Sequence, residues 1–235
     1  MDITQTIALA LIQGLTEFLP VSSSAHLVIL PKFLDWPDQG LAFDVVLHFA
    51  TLCAIVYYYR LTLVEMSKDF ACSIVTRKMQ GQSMLAWAVL LGTIPVGLTG
   101  LFFKDSIELN LRSYEVVAFA TIFFGFLLGF SDWLHRFLGR SREFIRSSDI
   151  LIVGLFQILA LIPGTSRAGI TITAALLIGL SRSLSIKYAF LLSIPVIALA
   201  TLLKTFDLVN ETNQVDWTLL LIGFVITLIT AYTTI

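Results

Sequence analysis

Leu15-Thr16-Glu17-Phe18-Leu19-Pro20-Val21-Ser22-Ser23-Ser24-Ala25-His26 interrupts one apolar stretch of this chain, and Leu161-Ile162-Pro163-Gly164-Thr165-Ser166-Arg167-Ala168-Gly169 interrupts another. Sliding one onto the other aligns Pro20 with Pro163, Ser22 with Thr165, Ser23 with Ser166 and Ala25 with Ala168. A proline followed by hydroxyls and an ionisable group is costly in hydrocarbon. It is tolerated only where the freed backbone lines a polar cavity. A duplicated break of this kind points to a ligand site between two halves of a membrane protein.

The composition agrees. Of 235 residues 57% are hydrophobic and 13% charged, about half the charged share of an ordinary soluble domain. Mean hydropathy is +0.89. An all-α polytopic membrane protein follows, since no alternating strand pattern repeats. A net charge of −1 argues against a nucleic-acid partner. Cys53, in an apolar stretch, and Cys72, in what reads as a polar loop, suggest neither a disulfide framework nor a Cys-rich metal site. Met1-Asp2 supplies no basic segment for a cleaved signal peptide.

Residues 41–59, 84–103, 114–134, 188–203 and 217–235 read as spanning helices, each near the ~20 residues a bilayer needs. Stretches 3–34 and 149–180 differ. Each is two half-length apolar pieces around a break, the pattern of a hairpin that enters the membrane and turns back. Pro31 and Asp35-Trp36-Pro37-Asp38 close the first hairpin, Gly179 and Arg182 the second. Segment 60–82 carries Arg60, Lys68, Arg77 and Lys78, and segment 135–148 carries Arg136, Arg140, Arg142 and Arg146. Segments 104–113 and 204–216 hold fewer cations, so the positive-inside rule puts the first pair in the cytoplasm. The first hairpin then opens outward and the second inward. That makes an inverted-topology repeat whose broken tips meet near mid-membrane. The whole of 1–235 reads as one integral membrane domain: a repeat half at about 1–103, an extra helix at about 114–134 and a second half at about 149–235. Tyr57-Tyr58-Tyr59 reads as an interfacial belt. The echo of Thr93-Ile94-Pro95-Val96 in Ser193-Ile194-Pro195-Val196 reads as ordinary proline-bearing helix.

Few ionisable residues lie at membrane depth, and each needs a reason to be there. Arg167 is the cation set between apolar stretches; Glu17 and Asp44 are the deepest acids, with His26 and His48 beside them. Gln13 and Glu17, at i and i+4, share a helix face. They suit a hard cation bridging diphosphate oxygens, or Glu17 alone suits a proton acceptor. The blander alternative is a Glu17–Arg167 pair that merely locks the hairpins together. Ser22-Ser23-Ser24 opens one half-helix and Gly164-Thr165-Ser166 the other. Two helix N-termini aimed at one cavity suit phosphate, Gly164 allows close backbone approach, and Arg167 adds a planar donor fork. Plain N-capping accounts for about one hydroxyl per helix. His26 follows Ser23 by three residues, so its ring is expected near that hydroxyl, ready to activate it, to be phosphorylated itself or to protonate a leaving group. Asp44 and His48, also i and i+4, read as helix packing or support.

The stretch from Gln13 to His26, with Pro163-Gly164-Thr165-Ser166-Arg167-Ala168-Gly169-Ile170-Thr171, resembles the bacterial undecaprenyl-diphosphatase family, also called bacitracin-resistance proteins. The resemblance covers essentially the whole chain. It implies hydrolysis of undecaprenyl diphosphate to the monophosphate, which recycles the lipid carrier of peptidoglycan and other envelope polymers. It also implies a divalent cation, Mg²⁺ or Ca²⁺, a multi-pass protein of the bacterial cytoplasmic membrane with its site open to the periplasmic side, and a homodimer. Glu17 matches the second acidic position of the family; Ser22, Ser23 and His26 match its serine and histidine positions; Ser166, Arg167 and Thr171 match its Pro-Gly motif. Gln13 stands where many members carry Glu, and Ala168 where serine is usual. The resemblance implies one more helix bearing an arginine, and this sequence has no arginine after Arg182.

The leading expectation is therefore a lipid-diphosphate phosphatase with Glu17, Ser23, His26 and Arg167 in catalysis. Ser22, Ser24, Gly164, Thr165, Ser166 and Thr171 bind phosphate with Arg167, and Gln13 and Glu17 hold the metal. Ser23 is the favoured nucleophile, with a His26 phosphoenzyme and metal-bound water as open routes. The rival is a transporter or polyprenyl-phosphate flippase on the same inverted repeat. A third reading, a structural membrane protein, leaves the buried charges without a purpose.

Overall fold

A computed structural model describes residues 1–111, 113–139, 141–209 and 216–235. Ten α-helices and one 3-10 turn make up the described residues: α1 Ile3–Thr16, α2 Ser23–Phe33, α3 Leu41–Tyr58, α4 Arg60–Thr76, α5 Ser83–Asn110, α6 Tyr114–Leu138, α7 Ser147–Ile158, the turn Leu159–Leu161, α8 Arg167–Leu177, α9 Arg182–Val209 and α10 Trp217–Thr234. Within α3, α5, α6, α9 and α10 lie five segments long and apolar enough to cross a membrane. The protein is thus an all-α polytopic membrane protein. At 1.5 Å per residue, the 14 residues of α1 and 12 of α7 fall well short of a ~30 Å hydrocarbon core. They stop where the sequence breaks, at Glu17 and Leu159.

The helix ends follow from capping chemistry. Asp2 accepts from the Gln5 backbone N–H at 2.8 Å while the Gln5 amide oxygen accepts from the Asp2 N–H at 2.9 Å, a reciprocal cap that satisfies two otherwise orphaned donors. Ser113 and Asp216 cap α6 and α10. Gly139, at φ 60°, stops α6 four residues later than the pattern of apolar residues suggests. At the start of α9 the Ser181 hydroxyl accepts from Leu184 N at 3.2 Å, so that helix begins well before residue 188. The largest departure is at 60–82, expected as a loop. Most of it is α4, and Cys72 lies on that helix. Leu63, Met66 and Phe70 pack one face of α4 toward α5, with the Phe70 and Trp87 rings 4.8 Å apart and Trp87 Nε1 donating to Ser73 Oγ at 3.1 Å. Scattered charges on the opposite face hide this periodicity. Arg140 and, of segment 204–216, residues 210–215 fall outside the described residues.

Two helix pairs approach closely. On α1, a Cβ at Gly14 would sit 2.6 Å from Thr230 Cβ of α10; on α7, one at Gly154 would sit 3.0 Å from the Gly92 carbonyl oxygen of α5. Small residues are what lets apolar helices pack this tightly in lipid. Between these pairs α3 meets α9, and α6 lies against α8. Beside the second pair lies a further ion pair. Arg142 grips Asp149 through both terminal nitrogens at 2.6 and 3.2 Å and also donates to the Ile178 carbonyl at 3.1 Å. Asp149, at 3% exposure, is deeper than the half-buried Asp44, a correction to the ranking of acids. Its place beside Ser147-Ser148 at a helix start disguises it as a surface cap. Arg142→Met leaves that carboxylate uncompensated and is expected to cost about 3–5 kcal/mol, read as a lower thermal midpoint in detergent.

Candidate active site

The two breaks meet. Glu17, at the end of α1, is 8% exposed, and its Oε1 accepts from Arg167, the first residue of α8, at 2.8 Å. Its Oε2 accepts from Gln13 Nε2 at 2.9 Å and from Ser23 Oγ at 2.6 Å. One carboxylate thus ties together α1, α2 and α8. Arg167 also donates to the Ser193 carbonyl of α9 at 3.1 Å. A guanidinium has five N–H donors, so most of this one stays unbonded among the described residues. A pair serving only as a lock would have no use for those donors.

Around the pair lies a cavity of about 210 Å³ lined by Ser22, Ser23, Ser24, His48, Thr165 and Ser166, with Val96, Leu161, Val196 and Ala200 on its apolar side. Those four residues also line a second, almost wholly apolar space of about 330 Å³ between α5 and α9, reaching Ile107 and Lys204. Ser22 and Ser166 are N-caps, accepting from Ala25 N at 3.4 Å and Gly169 N at 3.1 Å. Capping therefore explains one hydroxyl per helix and no more. Thr165 Oγ1 is buried on the cavity wall without a hydrogen-bond partner among the described residues, which is costly unless a ligand or water meets it.

Several expected residues land elsewhere. The His26 ring is exposed and folds back on its own helix, Nδ1 lying 2.7 Å from the Ser22 carbonyl oxygen. The expected Ser23–His26 contact is absent because the Ser23 hydroxyl turns to Glu17, a stronger acceptor. Thr171 is 1% exposed, and its hydroxyl returns to the Arg167 and Ala168 carbonyls at 2.8 and 3.0 Å, away from the cavity. Gly164 is also off the cavity wall. Its φ of +95° and the 2.3 Å that would separate a Cβ from the Val117 carbonyl oxygen show that it serves the fit of the second break against α6. Gly164→Ala is expected to lower stability by about 2–4 kcal/mol, measured by thermal unfolding of the purified protein. His48, expected in helix packing or support, also reaches the cavity. Its Nδ1 is 2.7 Å from the Asp44 carbonyl oxygen, and its Nε2 faces the cavity 3.9 Å from Glu17 Oε2, while the Asp44 carboxylate takes the Gln39 amide at 3.0 Å. The i, i+4 spacing placed both residues on one face but not which faced Glu17.

Among the described residues no group of three or more His, Cys, Asp and Glu side chains could hold a metal ion. Gln13 Oε1, however, is fully buried beside Glu17 with no partner among the described residues. One carboxylate and one spare amide oxygen do not cage an ion. They do fit a hard cation that draws most of its ligands from phosphate and water, as Mg²⁺ ordinarily does.

Five spans and a buried acid–arginine pair at two broken helices define a polytopic membrane protein with a polar site inside it. A family model described as bacitracin resistance protein BacA matches residues 6–235, and the chain belongs to that family. Among its relatives, a protein named undecaprenyl-diphosphatase from Vesicomyosocius okutanii subsp. Calyptogena okutanii is 55% identical over 235 residues, covering 100% of this chain and 89% of the relative. A protein of the same name from Ruthia magnifica subsp. Calyptogena magnifica is 54% identical, covering 100% of this chain and 88% of the relative. Undecaprenyl-diphosphatase 2 of Stutzerimonas stutzeri is 53% identical, covering 99% and 87%.

Proposed function

We propose that this protein hydrolyses undecaprenyl diphosphate to undecaprenyl phosphate and inorganic phosphate, returning the lipid carrier to peptidoglycan synthesis and countering bacitracin. The observation that carries this reading is a polar cavity holding a half-satisfied arginine that is continuous with an apolar groove. A diphosphate fits the first and a prenyl chain the second. The remaining Arg167 donors and the N-terminal ends of α2 and α8 hold the terminal phosphoryl group and neutralise the charge that spreads over it, the main demand in phosphoryl transfer. Ser23 Oγ attacks the terminal phosphorus and passes its proton to Glu17 Oε2; the bridging P–O bond breaks and releases the prenyl monophosphate. Water then cleaves the phosphoserine to free phosphate. Glu17 takes the base role first assigned to His26, whose unbonded Nε2 is left for proton exchange one turn along α2. A divalent cation held by Glu17 and Gln13 would add positive charge beside the phosphates. The cavity opens to the periplasmic side of the cytoplasmic membrane, and a homodimer belongs to the same reading.

The test is phosphate release by the purified full-length chain in detergent from undecaprenyl diphosphate and from short prenyl diphosphates, with and without chelator. Phosphate release that the chelator abolishes is expected. Movement of lipid across vesicles with no phosphate released would overturn the reading in favour of a carrier.

A further inference from the structure

Two glycines on α6 have no packing role among the described residues. Gly125 and Gly129 lie in mid-helix, where each weakens the helix by about 1 kcal/mol relative to alanine. Elsewhere such glycines allow close packing, as at Gly14 and Gly154. A Cβ at Gly125 or Gly129, by contrast, would meet no atom of the described residues within 4 Å. Space has been kept for something else. The two glycines, with Leu128 and Asp132, form one wall of a groove of about 540 Å³; Ile172 on α8 and Ile186 on α9 form the others, and Phe18, Pro20 and Phe190 close one end. It is separate from the catalytic cavity and shares no residue with it. Toward residue 114, α6 is held to the second break by the Thr121 hydroxyl, 3.1 Å from the Gly164 carbonyl.

The other end of the groove is charged. Asp132 Oδ1 accepts from Arg182 Nε at 2.6 Å, and Asp132 Oδ2 takes Arg136 one turn further along α6. Two guanidiniums on one carboxylate leave a net positive rim. Both arginine side chains are open, at 48% and 67% exposure, with donors to spare. By the positive-inside rule this end lies at the cytoplasmic surface, where lipid headgroups are anionic. From Gly125 to Asp132 the groove runs about 10 Å, within the ~15 Å depth of one leaflet. That suits the upper part of an acyl chain better than a long polyprenyl chain. A spanning helix of a second copy would have to run past the closed end at Phe18 and Pro20.

We propose that this groove binds one anionic phospholipid of the inner leaflet, an acyl chain along Gly125 and Gly129 and its phosphate on Arg136 and Arg182. The bound chain fills the gap between α6 and the α8–α9 pair, on the far side of the bend that presents Glu17. The site is independent of the phosphatase assignment.

Native mass spectrometry of the full-length protein tests this, with phosphatidylglycerol, phosphatidylcholine or undecaprenyl phosphate added separately. The wild type is expected to retain one phosphatidylglycerol about tenfold more than phosphatidylcholine. Gly125→Leu with Gly129→Leu fills the groove and is expected to abolish retention; Arg136→Gln with Arg182→Gln is expected to erase the preference. If the leucine variant fails to fold, Arg136→Gln alone, at an exposed side chain, is expected to cut the preference at least threefold. Equal retention of both phospholipids by the wild type, or phosphatidylglycerol binding unchanged in the variants, overturns the proposal. Undecaprenyl phosphate retained more strongly than phosphatidylglycerol, and lost on the same leucine substitutions, overturns it in favour of a prenyl site. A dimer lost on leucine substitution, with no lipid retained by the wild type, overturns it in favour of an interface between copies.

Discussion

Arg167→Ala is expected to reduce phosphate release at least 10³-fold and to weaken the protein as well. Losing one donor of a charge-stabilising site typically costs 10² to 10³ in rate, and Arg167 offers several. Its removal also strands Glu17, which is 8% exposed, and an uncompensated buried charge costs about 3–5 kcal/mol. Arg167→Lys keeps the charge without the planar fork. It is expected to recover most of the stability but stay about 10²-fold slow. The readouts are kcat in a detergent phosphate assay and the thermal midpoint of the same preparations. Activity within tenfold of wild type in the alanine variant would remove Arg167 from the site.

Glu17→Gln tests the other half of the pair. The amide keeps the size of the side chain but is a far weaker acceptor for the Ser23 proton, now held at 2.6 Å. General base catalysis is worth about 10² to 10⁴, so a loss near 10³ in kcat is expected. A double variant separates chemistry from architecture. Glu17→Leu combined with Arg167→Leu replaces a buried ion pair with apolar volume, which is often neutral for stability. Normal folding with no phosphate release is the expected result. Recovery of activity would mean that the pair only clamps the two breaks together.

The sequence carried most of the fold because lipid leaves so few options. Five apolar runs announced five spans, and the prolines at 20 and 163 announced the breaks. α4 was missed because charges scattered along it hide the face that packs on α5. The Glu17–Arg167 contact was legible from the rarity of charge at depth, although 150 residues separate the partners. Orientation of side chains was not. Ser23 could turn to His26 or to Glu17, and helical spacing favours the former while acceptor strength decides for the latter. His48 entered from a third helix, through tertiary packing that no local pattern records. Thr171 has the same residue type as Thr165, yet it lies one turn inside α8 and spends its hydroxyl on the backbone.

The distance along the chain between Glu17 and Arg167 has a consequence for how the protein is made. The acid is translated 150 residues ahead of its counter-charge, an interval of about 8–30 s at ordinary elongation rates. During that time α1 has no guanidinium to meet. A lone carboxylate in so apolar a setting takes up a proton or stays hydrated. The newborn first half is therefore carried neutral or held at the water boundary, and it settles to its final depth only when the second break arrives.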